Sequence, residues 1–168
     1  MIFPFNAGEV FKIALMIEDN GHLFYETAAA KPFPEEIVSL FKGLATEELS
    51  HKAIFSALLR DLPKDTTAST VWDPDNELDQ YLKMMAGQHV FNKNPEIITE
   101  QVKNIAKPAE AIRMAMGFEK DTIVFFLELQ ASSEGYDESR REIEKLVNEE
   151  RKHLKKLAGL LEKVEGSA

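Results

Sequence analysis

The sequence of 168 residues contains no Cys. That absence excludes disulfide frameworks, thiol nucleophiles, thiolate zinc sites, iron–sulfur clusters and CxxC redox chemistry, so any redox work has to use other ligands. Long apolar runs are missing too. The longest, Ile13 to Ile17 and Ile123 to Leu127, fall far short of the roughly 18 residues needed to cross a bilayer. Met1 to Ile17 lacks a basic leading stretch and carries Glu9 and Lys12, which argues against a signal peptide. A cytoplasmic protein with no membrane segment is expected. Positive charge is in deficit, with 20 Lys plus Arg against 29 Asp plus Glu and a formal charge of −9. Phosphate contacts need the opposite balance, so no nucleic-acid partner is expected. His-Glu-x-x-His, a phosphate-binding Gly loop and a Gly-x-Ser-x-Gly elbow are all absent.

What is present is helical punctuation. Asn6 with Glu9 reads as a capping box, and Lys31-Pro32-Phe33-Pro34 ends the segment that follows, giving helix A over residues 7–30. Pro34 at a first helical position, with Glu35 and Glu36 in the first turn, opens helix B over 34–60. Residues 61–107 form a long crossover, with short helices expected to start at Asp73-Pro74 and Asn94-Pro95 and a stop at Gly87. Pro108 opens helix C, which runs to 131. Ser132-Ser133-Glu134-Gly135 breaks it, and Asp137 or Glu138 begins helix D, which runs to 164. Strand signals are nearly absent. The expectation is an all-α fold in one domain, residues 1–168, made of helical hairpins 7–60 and 108–164.

Apolar residues recur at three and four along each helix, and each stripe is interrupted by a carboxylate. Helix B reads Ile37, Phe41, Leu44, Glu48, His51, Phe55, Leu58; helix D reads Ile143, Leu146, Val147, Glu150, His153, Leu157. Helix A reads Phe11, Ala14, Leu15, Glu18, His22, Tyr25, and helix C reads Ile112, Ala115, Met116, Glu119, Ile123, Phe126. The chain is also two copies of one unit. Glu18 maps to Glu119 at an offset of 101, and Glu48 and His51 map to Glu150 and His153 at an offset of 102.

Four ionised Glu side chains in an apolar bundle would cost several kcal/mol each if left unpartnered. Lys and Arg are missing from the seams near them, so intrachain salt bridges do not solve the problem. A pair of metal ions does. Glu and His three apart share a helix face with Cβ atoms about 5–6 Å apart, so one helix can offer both ligands to one metal. Two Glu-x-x-His pairs plus a lone Glu from each of two further helices make the di-iron or di-manganese carboxylate pattern of bundle cores. Four carboxylates and two imidazoles suit iron or manganese.

The segment Ile17-Glu18-Asp19-Asn20-Gly21-His22-Leu23-Phe24-Tyr25 is similar to the helix-A motif of the rubrerythrin family, in the ferritin-like di-iron superfamily. Leu44-Ala45-Thr46-Glu47-Glu48-Leu49-Ser50-His51 resembles that family's Glu-Glu-x-x-His motif, and Gly117-Phe118-Glu119-Lys120 with Glu149-Glu150-Arg151-Lys152-His153 supplies the second half. The resemblance spans helices A to D and little of residues 61–107. It implies a ferritin-like four-helix bundle with a long crossover between helices B and C. It implies metal ligation by Glu18, Glu48, Glu119 and Glu150, with His51 and His153 as terminal imidazoles. Two iron ions are implied, with manganese as an alternative and zinc as an adventitious occupant. The implied activity is that of a non-haem di-iron oxidoreductase reducing hydrogen peroxide or dioxygen, with electrons from an external protein such as a rubredoxin-like donor. A ferritin-like ferroxidase or iron-storage role is the alternative, and a metal-stabilised interaction module is a third. A homodimer is implied, and the crossover is long enough to permit exchange of helices between protomers. The sequence departs from the family at two points. Thr122 stands where typical rubrerythrins carry a further carboxylate, and the sequence has no Cys of the kind their rubredoxin domain uses.

Around the six ligands, Glu47 and Glu149 are candidates to accept a hydrogen bond from a ligand His on the opposite paired helix, with solvent exposure as the alternative. Tyr25, two turns after Glu18, is a candidate to hydrogen-bond a ligand or donate an electron, with core packing as the alternative; its duplicate is Phe126. His22 reads as a core or rim histidine. Trp72, Met84, Met85 and His89 read as structural. The basic cluster from Arg140 to Lys156 is interleaved with Glu and reads mostly as a solvated face.

Overall fold

A computed structural model of the chain describes residues 7–61, 80, 84, 95–132 and 137–166. The described residues form five helices and no strand: α1 (Ala7–Ala29), α2 (Glu35–Asp61), α3 (Pro95–Asn104), α4 (Pro108–Ser132) and α5 (Asp137–Gly166). The expected starts at Asn6 and Asp73-Pro74, the stop at Gly87, and Trp72, Met85 and His89 lie outside the described residues.

Local chemistry sets the helix ends. Lys31-Pro32 stops α1, and Pro34 precedes the first residue of α2 instead of occupying it. Its carbonyl accepts from the amides of Ile37 at 2.9 Å and Val38 at 3.1 Å, so Pro34 is the cap residue of α2. Glu35 and Glu36 follow in the first turn, where the helix dipole favours negative charge. Pro95 and Pro108 each stand at a first helical position, where the missing N–H costs nothing. Glu110 reaches back to the amides of Ala106 and Lys107, both at 3.3 Å, and covers donors exposed at the start of α4.

Helix α1 packs along α2 and α4 along α5, and the two hairpins meet through α1 against α4 and α2 against α5. Helix α3 lies on α1, burying Ile98 and Val102. Lys31 donates to the carbonyls of Val102 at 3.0 Å and Lys103 at 2.7 Å, pairing acceptors left over at the end of α3.

The apolar core falls into two blocks. One contains Phe11, Ile17, Phe55, Phe125, Phe126 and Leu146; the other contains Phe24, Phe41, Leu44, Ile112, Phe118 and Leu157. Each buried side chain of this size contributes about 1.5–3 kcal/mol. Phe55 and Phe126 meet at 4.9 Å between ring centroids in the first block, and Phe24 and Phe118 at 4.6 Å in the second. Glu18, Glu48, His51, Glu119, Glu150 and His153 interrupt the stripes between these blocks, so the bundle carries a polar layer inside an aromatic-lined core.

Candidate metal centre

Glu18 on α1, Glu48 and His51 on α2, Glu119 on α4, and Glu150 and His153 on α5 are all buried, none more than 5% exposed. One ligand atom from each of Glu18, Glu48, His51 and Glu150 lies within 4.8 Å of the others, and the same holds for Glu48, Glu119, Glu150 and His153. The two sets share Glu48 and Glu150. Each set therefore combines one carboxylate of its own, one imidazole and two carboxylates held in common.

The imidazoles point the same way in both sets. Nδ1 of His51 faces inward, 2.8 Å from Glu150 Oε1 and 3.2 Å from Glu48 Oε2, and Nδ1 of His153 lies 2.9 Å from Glu150 Oε2. These approaches lack hydrogen-bond geometry: both Nδ1 atoms, both Glu150 oxygens and Glu18 Oε1 are buried without a hydrogen-bond partner. Nε2 faces outward, where Glu149 Oε2 accepts from His51 at 2.9 Å and Glu47 Oε2 stands 2.5 Å from His153. An ionised carboxylate only accepts, so it holds a proton on Nε2 and leaves Nδ1, turned to the cluster, as the nitrogen that would give up its proton to a metal. The two rings lie nearly parallel, 14° apart, with centroids 5.4 Å apart.

Protons balance the charge when metal is absent. Burial pushes Glu18 well above the usual carboxylate range and the neighbouring charges of Glu48 and Glu150 add to it, with His51 opposing. Burial does the same to Glu119, with Glu150 adding to it. Burial opposes protonation of His153, but Glu119 and Glu150 outweigh it and hold the imidazole up to about 10. His51 is likewise raised, with Glu150, Glu18 and Glu48 outweighing burial. For Glu150 burial is again opposed, and His153 and His51 hold it below the ordinary carboxylate range. Convergent buried oxygen and imidazole nitrogen atoms with no hydrogen-bond partner, which release their protons when a cation replaces them, fit a metal site.

The family model described as Rubrerythrin matches residues 9–161. The chain belongs to the rubrerythrin family. No curated protein and no solved structure matches it significantly. The bundle is thus the ferritin-like helical fold of a rubrerythrin domain, and its buried Glu/His cluster lies where the helices of both hairpins meet.

Around this rubrerythrin cluster the structure places the remaining candidates. Tyr25 is fully buried and donates a short hydrogen bond to Glu119 Oε1; burial and the Glu119 charge push its phenol well above its ordinary value. His22 lies at the rim, its Nδ1 2.8 Å from the Ala45 carbonyl oxygen, and belongs to neither set. Met84 is exposed. Thr122 is buried and, with Gly21, Glu18, Glu48 and Glu119, bounds a chamber of about 10 Å³, room for roughly one water-sized molecule. An open cavity of about 290 Å³ is lined by His51 and His153 together with Glu47 and Glu149. Lys156 lines that cavity from the solvated face of α5, where it is exposed. Its Nζ lies 3.0 Å from both oxygens of Glu47 and so touches the carboxylate behind His153. The available sequence signal was its position one turn after His153. Charge patterning alone does not name a partner on another helix.

Proposed function

We propose that this rubrerythrin binds two iron ions through Glu18, Glu48, His51, Glu119, Glu150 and His153 and reduces hydrogen peroxide or dioxygen with electrons from an external protein. The observation carrying this reading is the pair of buried ligand sets sharing Glu48 and Glu150. When bound, an iron pair supplies two electrons and Lewis-acid polarisation to a small oxidant; for peroxide the balance is H2O2 + 2 e⁻ + 2 H⁺ → 2 H2O. The chain's own residues do the rest. Glu149 and Glu47 orient the two imidazoles, Phe24 and Phe118 exclude bulk water from one side, and the Thr122 chamber limits the oxidant to a few atoms. Tyr25 is the buried hydroxyl hydrogen-bonded to a proposed ligand. With no Cys for a second redox centre, the electrons are assigned to a rubredoxin-like donor. A cytoplasmic homodimer with manganese as an alternative metal belongs to the same reading.

The test is anaerobic iron loading followed by stopped-flow mixing with peroxide and, separately, with dioxygen. Two irons per chain with fast, stoichiometric reoxidation by peroxide is the expected result. Iron uptake far above two per chain in a cage-sized assembly would overturn the proposal in favour of storage.

A further inference from the structure

The duplication provides a comparison within one molecule. An offset of 101 relates Tyr25 to Phe126 as it relates Glu18 to Glu119, and an offset of 102 relates Glu47, His51 and Ile54 to Glu149, His153 and Lys156. A perfect repeat would give the two ligand sets the same surroundings. The halves differ at several positions, Gly21 against Thr122 and His22 against Ile123 among them, and two further differences add a polar contact to the same set. Behind His153, Glu47 shares its charge with Lys156, whose Nζ is 3.0 Å from each carboxylate oxygen. Behind His51, the matching position is Ile54, which packs against the apolar core, and among the described residues Glu149 pairs with His51 and with no Lys or Arg. In front, Tyr25 donates to Glu119. Phe126, at the matching position, has no donor, and Glu18 Oε1 has no hydrogen-bond partner.

A cation shared with the carboxylate behind an imidazole makes that carboxylate a weaker acceptor and the imidazole a poorer metal donor. A hydrogen bond donated to a ligand carboxylate draws density from its oxygens in the same sense. We infer that the two metal positions are unequal: the one held by Glu18 and His51 is tighter and more electron-rich, and Lys156 and Tyr25 weaken the one held by Glu119 and His153. This rests on the reading that the cluster binds two metal ions, and it adds Lys156 as a positioning residue acting through Glu47 and His153.

Titrating the metal-free full chain with Co(II), followed by calorimetry and visible absorption, tests it without turnover. Wild-type protein is expected to bind in two steps separated by about 10-fold or more, the scale on which groups behind the ligands act. Lys156→Met should strengthen the weaker step several-fold and leave the tighter one in place. Ile54→Lys, which brings the matching ammonium toward Glu149, should weaken the tighter step. The opposite signs matter, because a mere loss of packing would weaken binding in both variants. Glu18→Gln and Glu119→Gln assign the steps, the first removing the tighter and the second the weaker. Two equal steps in wild type, or a Lys156→Met protein whose weaker step is unchanged or weakened, would overturn the inequality and leave the metal-binding reading standing. Failure of wild-type protein to take up two ions would overturn that reading itself.

Discussion

Glu150 is completely buried, and neither of its oxygens has a hydrogen-bond partner, although each lies within 2.9 Å of an inward-facing imidazole nitrogen. It belongs to both ligand sets, as Glu48 does, whereas Glu18 and Glu119 each belong to one. Membership predicts stoichiometry. Glu150→Ala should abolish uptake of both ions, and Glu18→Ala should leave one; elemental analysis after anaerobic loading and desalting checks this. Two ions retained in Glu150→Ala would rule out its place in the centre. At this scale much of the site could be read from the sequence, because Glu-x-x-His spacing and helical periodicity together fix which side chains share a buried face. The reach of Lys156 to Glu47 could not, since a long exposed side chain chooses its partner through the packing of α5 on α2. Nor could the Tyr25 partner, because periodicity alone does not tell which of four buried carboxylates a phenol meets.

At the scale of elements, proline and glycine placement put the ends of the long helices within two residues of those observed, since a missing N–H or a broken periodicity acts locally. Pro34 shows the residual ambiguity: the same residue can open a helix as a cap or as its first member, and the neighbouring backbone decides. The start of α3 at Asn94-Pro95 was visible in the same way. Its docking was not, because an amphipathic ten-residue helix announces an apolar face but not the surface that covers it. The docking is with α1, through Ile98 and Val102 and through Lys31, which holds two carbonyls at the C-terminal end of α3. Lys31→Met should leave these acceptors to water and cost roughly 0.5–1.5 kcal/mol locally. Amide hydrogen exchange over residues 95–104 should rise while metal content stays at the wild-type value. Unchanged exchange in that helix would show that apolar contact alone seats it.

For the whole molecule, the formal charge of −9 hides an internal balance. The carboxylates inside the bundle are compensated by protons when metal is absent and, on the proposed reading, by metal when it is present, so the two forms should respond to pH in opposite ways. In the metal-free fold, Glu18 and Glu119 hold protons well above their ordinary value of 4.5, and His51 and His153 hold theirs above 6.5, His153 to about 10. All four shifts make the folded state bind more protons than the unfolded chain over this range, and stability then falls as pH rises. The contribution of His153 is fully present below about pH 6.5 and is lost as pH climbs through about 10. The raised carboxylates begin to cost stability above about pH 4.5, where the unfolded chain ionises freely. Glu150 is shifted the other way, and its contribution is lost only as pH falls below the ordinary carboxylate range. Between pH 5 and pH 9 the melting temperature of metal-free protein should therefore decline. The loaded protein, whose ligands must shed protons to bind, should gain stability over the same interval. Thermal unfolding of metal-free and Co(II)-loaded protein across that interval measures both slopes. Glu18→Gln carries no titrating proton and should reduce the metal-free slope, which separates the cluster from general repulsion among surface acids. A metal-free slope that is flat or rising, or one that Glu18→Gln leaves unchanged, would show that protons do not balance the charge of the buried layer.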